Sequence, residues 1–223
     1  MKRLVSPVPV PAAAVLAFTV SALVTLAPAP AAADLLTLYA EAHGGGAFGD
    51  GLGGEAQRDA FHAGAQGLTY GGIVGAEVLF VDLWVQHDQY NRDGELAGTW
   101  TQFMLGLDTQ FDIGKKRKGR GTDRFSAGYG ELGFAVGFGV GTGQQVIPPL
   151  DNAQVTDKGF LGQISLGFGY RFNRVLSLGV SLPVQVGYMF KSGDGRAAND
   201  TGNQYYGAQG AALINLRLTA PIR

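Results

Sequence analysis

Eight stretches of this chain alternate apolar residues with polar or very small ones at a period of two, which is the signature of strands with two unlike faces. Leu36, Leu38, Ala40 and Ala42 alternate with Thr37, Tyr39, Glu41 and His43. Val74, Ala76, Val78 and Phe80 alternate with Ile73, Gly75, Glu77 and Leu79, and Val81, Leu83 and Val85 with Asp82, Trp84 and Gln86. Phe103, Leu105, Leu107 and Phe111 oppose Gln102, Gly106, Asp108 and Gln110. The second half is cleaner still. Leu132–Phe138 alternates with Glu131, Gly133, Ala135 and Gly137, and Ile164–Phe172 with Gln163, Ser165, Gly167, Gly169 and Arg171. Leu176–Val186 alternates with Ser177, Gly179, Ser181, Pro183, Gln185 and Gly187, and Ala212–Leu218 with Ala211, Leu213, Asn215 and Arg217. Most segments approach the ~9–11 residues that a tilted strand needs to cross a bilayer.

The two faces differ in bulk as well as polarity. One is Leu, Val, Ile and Phe; the other carries Gly75, Gly106, Gly133, Gly137, Gly167, Gly169, Gly179 and Gly187, from a total of 36 glycines. Small residues suit the narrow interior of an eight-stranded barrel, and the bulky face suits lipid. The run Gly137–Gly143 follows the same period, so it reads as strand rather than as a nucleotide loop. After the N-terminal region no run of ~20 apolar residues occurs, so a membrane-spanning chain of this composition has to be a closed barrel. Lysine beyond that region occurs only at 115, 116, 118, 158 and 191, all read as connections. Tyr70, Tyr90, Trp100, Phe160, Tyr188 and Tyr206 are expected to form one interfacial girdle, and Phe80, Phe111, Phe125 and Phe172 the other. The expected fold is all-β, an antiparallel up-and-down transmembrane β-barrel of eight strands.

The connections support this. Long polar links are read at 49–68, 91–98, 141–159 and 191–204, with tight turns at Val81-Asp82 and Asn173-Arg174. One connection on the short-turn side, residues 114–124, is longer and basic: GKKRKGRGTDR. At the N-terminus, Lys2 and Arg3 precede an apolar stretch, 12–27, that ends in Pro28, Pro30 and Ala31-Ala32-Ala33. This reads as a cleaved signal peptide over 1–33, with residues 34–223 as the barrel.

Residues 34–223 thus resemble the small eight-stranded outer-membrane barrels of the OmpA, OmpX and OmpW kind, although they end Leu218-Thr219-Ala220-Pro221-Ile222-Arg223 where such barrels usually carry an aromatic residue. The resemblance implies an integral protein of a bacterial outer membrane. The role expected is structural or surface-interacting, with a closed lumen and exposed loops. A narrow ion or small-solute channel, a lipid A-modifying enzyme and a soluble secreted β-sandwich are the alternatives.

Glu41, Glu77, Asp108, Glu131, Arg171 and Arg217 are expected to point inward and plug the lumen as a charge network, since unpaired charges in a narrow interior are costly. His43 faces inward beside them, His87 faces lipid, His62 falls in a long link, and serines 165, 177 and 181 face inward. No histidine and serine meet on the outer lipid face, so no catalytic pair is expected. Lys115, Lys116, Arg117, Lys118 and Arg120 form a basic turn facing anionic envelope polymers or lipid phosphates. Outer-membrane lipids are the remaining partners of a chain expected to be monomeric. A net charge of −1 gives no basis for nucleic-acid binding, and the absence of cysteine removes disulfides and thiolate metal sites; no metal or cofactor is expected. Mass spectrometry of the native protein should find Asp34 as its first residue; a mature chain retaining 12–27 would overturn the export argument.

Overall fold

The computed structural model describes residues 36–52, 67–78, 81–92, 95–118, 124–145, 153–193 and 204–222; the expected signal peptide lies outside them. Eight strands run in chain order: β1 (Leu36–Leu52), β2 (Gly67–Val78), β3 (Val81–Arg92), β4 (Glu95–Lys118), β5 (Arg124–Gln145), β6 (Ala153–Arg171), β7 (Leu176–Gly193) and β8 (Gln204–Ile222). Each pairs antiparallel with the next, and β8 returns to β1 to close the barrel. The closing ladder is continuous from Leu36↔Ile222 to Leu52↔Tyr206. Among the described residues no helix is long and apolar enough to cross a membrane.

The register fixes the geometry. Following partners from Leu36 through Val78, Val81, Leu107, Phe134, Ile164, Val184 and Gly210 returns to Phe48, so one circuit climbs from residue 36 to residue 48 of β1. That stagger forces the strands to tilt by about 45° from the barrel axis. The β7–β8 ladder skips Leu182 and Pro183, where the proline has no N–H to donate.

Period two then assigns every side chain to one face. Outward residues are apolar and exposed, among them Val136 at 62%, Phe168 at 60% and Ile214 at 63%. Many inward residues are polar or small, and Glu41, His43, Asp82, Gln86, Asp88, Gln102, Gln185 and Asn215 are all buried. A soluble protein does not carry such a continuous apolar exterior around a polar interior. The chain is a transmembrane barrel with its polar face inside, as the alternation predicts.

Several expectations about boundaries need correction. Val78 pairs with Val81, so the β2–β3 turn is residues 79–80, and Val81-Asp82 belongs to β3. The polar stretch 91–98 is mostly strand: β3 and β4 pair up to Arg92↔Glu95, leaving only residues 93–94 between them. β5, β6 and β7 likewise run into the stretches read as links, because a β-ladder beyond the lipid no longer needs apolar side chains. The basic stretch 114–124 is also largely ladder, pairing Lys116↔Ser126 and Lys118↔Arg124 after a register shift beyond Ile113. Lys158 and Lys191 therefore sit on strand ends rather than in connections.

The β6–β7 turn lies where expected, at 172–175. There the Asn173 side-chain oxygen accepts from the N–H groups of Val175 (2.7 Å) and Leu176 (2.8 Å).

The girdles are partly redrawn as well. Tyr70, Phe160 and Tyr206 are exposed near the long-link rim, and Phe111 and Phe172 near the other, as expected. Tyr188 packs against Tyr206 on the same outer surface. Tyr90 and Trp100 do not join them: they point inward and are 3% and 2% exposed. Both share the parity of the lumen residues, which outweighs their position near the rim. Phe80 and the side chain of Phe125 lie outside the described residues.

The facing can be tested in a chain that has no cysteine of its own. A lipid-soluble label should react with a single cysteine at Val136 in membrane-embedded protein and not at its inward neighbour Ala135. Val136→Arg should cost about 2–4 kcal/mol of folding free energy in reversible unfolding from lipid vesicles. Reaction at 135 alone would invert the barrel.

Candidate functional site in the barrel lumen

The lumen is built in two layers. Near the short-turn rim it is charged, and the charged side chains arrive from several strands. Arg171 (β6) donates to Asp112 Oδ1 at 3.0 Å and to Gln110 Oε1 at 2.7 Å, both on β4. Gln110 in turn donates to Glu131 Oε2 on β5 at 2.9 Å. Arg217 (β8) continues the chain, 3.9 Å from Glu131 and 3.8 Å from Asp108. Its guanidinium also lies 3.9 Å from the centre of the Tyr39 ring, a cation–π contact from β1. Tyr39 passes the contact on by donating to both carboxylate oxygens of Asp82 at 2.8 Å. Asn215 donates to Glu41 at 3.2 Å.

Of the six residues expected to form this network, Asp108, Glu131, Arg171 and Arg217 are brought together as described. Glu41 lines the same cavity as Asp108, Glu131 and Arg217 but is held by Asn215, and Glu77 lines the lower mouth with Arg171 and Arg217. Asp82, Asp88 and Asp112 were not anticipated. Asp82 and Asp88 share the inward parity of Trp84 and Gln86, so both are legible in the alternation of β3. His43, expected to face inward, meets Asp88 at 2.5 Å, and Gln86 donates to the other Asp88 oxygen at 2.8 Å. Carboxylates still outnumber cations in this layer. His43 Nδ1, Trp84 Nε1, Asp108 Oδ1 and Asn215 Oδ1 have no hydrogen-bond partner among the described residues. The last three belong to residues lining a cavity of about 70 Å³, room for water to complete their bonds.

The upper layer is unlike what the alternation predicts. Trp100, Met104, Leu161, Met189, Tyr90, Ala135 and Ala47 form an apolar cluster inside the barrel. Trp100, Met189 and Gln102 are the most fully buried large side chains among those described. The glycines make this possible: a β-carbon at Gly139 or Gly141 would overlap the Trp100 ring. Polar groups frame the cluster. Trp100 donates to Gln102 at 3.2 Å, Gln185 bridges Gln102 (2.8 Å) and Gln163 (2.6 Å), and Gln209 donates to the Tyr90 hydroxyl at 2.7 Å. The lumen is therefore lined by charged side chains in its lower half and by an apolar cluster in its upper half.

The other sequence candidates fall as follows. His87 faces outward and bonds Thr101 across β3–β4 at 2.7 Å, and Ser165, Ser177 and Ser181 are inward. His62 and Arg120 lie outside the described residues. Lys115, Lys116, Arg117 and Lys118 belong to the end of β4. No group of three or more metal-ligating side chains occurs among the described residues.

No family model matches this chain, and no curated protein matches it. Among solved structures it is similar in fold to Neisserial surface protein A (NspA), at 10% identity and TM-score 0.45, over 82% of this chain and 96% of that one. The outer membrane protease OmpT from Escherichia coli is similar at 7% identity and TM-score 0.40, over 82% and 96%. A major outer membrane protein from Thermus thermophilus is similar at 15% identity and TM-score 0.37, over 82% and 99%.

The two arginines should differ in importance. Arg217→Met leaves the partly buried Asp108 and Glu131 without their shared cation and should cost about 1–3 kcal/mol in urea unfolding from vesicles. Arg171→Met, at the more open mouth, should cost well under half as much. Equal losses, or none, would mean that Arg217 is not the centre of the charged network.

Proposed function

We propose that the protein is an integral barrel of a bacterial outer membrane, exported by cleavage after Ala33, with a sealed lumen and a structural or surface-interaction role. The long links then lie outside the cell and the short turns in the periplasm. One observation carries the sealed lumen: Trp100 and Met189 fill the upper cross-section at 2% and 0% exposure. A cavity of about 120 Å³ at the lower mouth meets the 70 Å³ one at Arg217, and a further 20 Å³ lies beside Gln86 and Asp88. Such a barrel offers a rigid scaffold, and specificity resides in what its loops touch.

The alternative of a conducting channel predicts the opposite electrical behaviour. Purified protein in planar bilayers should show negligible conductance, whereas a Trp100→Gly, Met189→Gly double variant should open measurable single-channel steps. Large, stable steps from the unmodified protein would establish a pore and end the sealed reading.

A further inference from the structure

The most highly charged feature of the chain belongs to neither layer of the lumen. From 113 to 126 the sequence carries Lys115, Lys116, Arg117, Lys118, Arg120 and Arg124 against a single acid, Asp123. β4 and β5, 24 and 22 residues long, continue pairing there, so most of the run is a β-hairpin arm descending from the short-turn rim. We infer that this arm is a docking surface for the anionic phospholipid headgroups of the leaflet at the short-turn rim, the periplasmic one in the orientation proposed above.

Three observations favour lipid over a soluble or cell-wall partner. The first is face. Ile113 and Phe111 are exposed on the outer surface, and Gly128 opposite Ile113 shares that face. The register then shifts by one residue on β4, so that Lys116 pairs with Ser126 and Lys118 with Arg124. Ser126 and Arg124 have the parity of Gly128, so the bulge places Lys116, Lys118 and Arg124 in line with the lipid-facing side. Without the extra residue, that face of β4 would carry Lys115 and Arg117.

The second is depth. At ~3.3 Å per residue and a tilt of about 45°, Lys116–Lys118 lie roughly 7–12 Å beyond Ile113. Ile113 is the last apolar residue of β4; with it at the hydrocarbon edge, a headgroup layer roughly 5–8 Å thick reaches the backbone of Lys116. The third is charge. A juxtamembrane cluster of lysine and arginine is attracted to an anionic lipid surface within a Debye length of it. The rest of the chain taken together holds more acidic than basic residues, so positive charge is concentrated in the arm.

The inference rests on the membrane-barrel reading, and the test keeps the two apart. Ser126→Cys, labelled with an environment-sensitive fluorophore, is reconstituted into vesicles of phosphatidylcholine alone or with phosphatidylglycerol added. Quenching by acrylamide should fall about threefold when the anionic lipid is present. That protection should vanish at ~1 M salt, where the screening length is ~3 Å, and in a Lys116→Gln, Lys118→Gln, Arg124→Gln variant. Equal quenching in both vesicles, or protection that survives the three substitutions, would overturn the inference. So would lipid-independent retention of the unmodified protein on purified peptidoglycan that the triple variant loses. A heat-modifiable gel band from the same vesicles reports the folded barrel independently; its absence would instead remove the membrane reading itself.

Discussion

Everything in this molecule depends on the need to pair every backbone N–H and C=O where no water is available. Each group left open in hydrocarbon costs several kcal/mol, so a sheet can enter lipid only without edges. The β1–β8 ladder meets that demand, running without interruption from Leu36↔Ile222 to Leu52↔Tyr206. The irregularities of the sheet occur where this constraint is relaxed or cannot be met. Two register shifts lie near the rims, beyond Tyr90 and beyond Ile113, and one gap occurs where Pro183 has no donor. The same closure sets the stagger of the strands, and the stagger decides which inward side chains share a level of the lumen.

Once the barrel is closed, its interior has to be filled without water-accessible defects. The upper half is filled with rings and thioethers, and glycines on neighbouring positions provide the space. The lower half is filled with charge, and charge in a narrow interior has to be matched. Arg217 is central here because it touches the Glu131–Gln110–Arg171 chain, Asp108 and the Tyr39–Asp82 pair at once. In the sealed barrel proposed above, the apolar layer excludes ions whatever the protonation of the carboxylates below it.

The sequence was most readable where the constraint is local. Side chains alternate along any strand regardless of its partner, so the eight segments, their facing and the inward glycines followed from period two alone. Trp100 and Tyr90 show the same rule prevailing over a weaker one. Parity put them inside with Gln102 and Gln86, and only their nearness to the rim argued for a girdle. Strand ends were less readable, because a ladder outside the lipid no longer needs an apolar face. Stretches such as 91–98 and 114–118 therefore look like links in composition while hydrogen-bonding as strands.

By itself the sequence determined the number of strands, which face of each meets lipid, and the presence of buried charges of both signs. Only the tertiary structure decided their partners. Arg171 meets Gln110 and Asp112 from some sixty positions away, and Asn215 meets Glu41 from the opposite end of the chain. It also decided that Met104, Leu161 and Met189 converge on Trp100 in the upper lumen. The physical reason is that alternation is a property of one strand, whereas contacts across the lumen depend on how far the sheet shears before it closes. That quantity belongs to all eight strands together, and no single segment carries it.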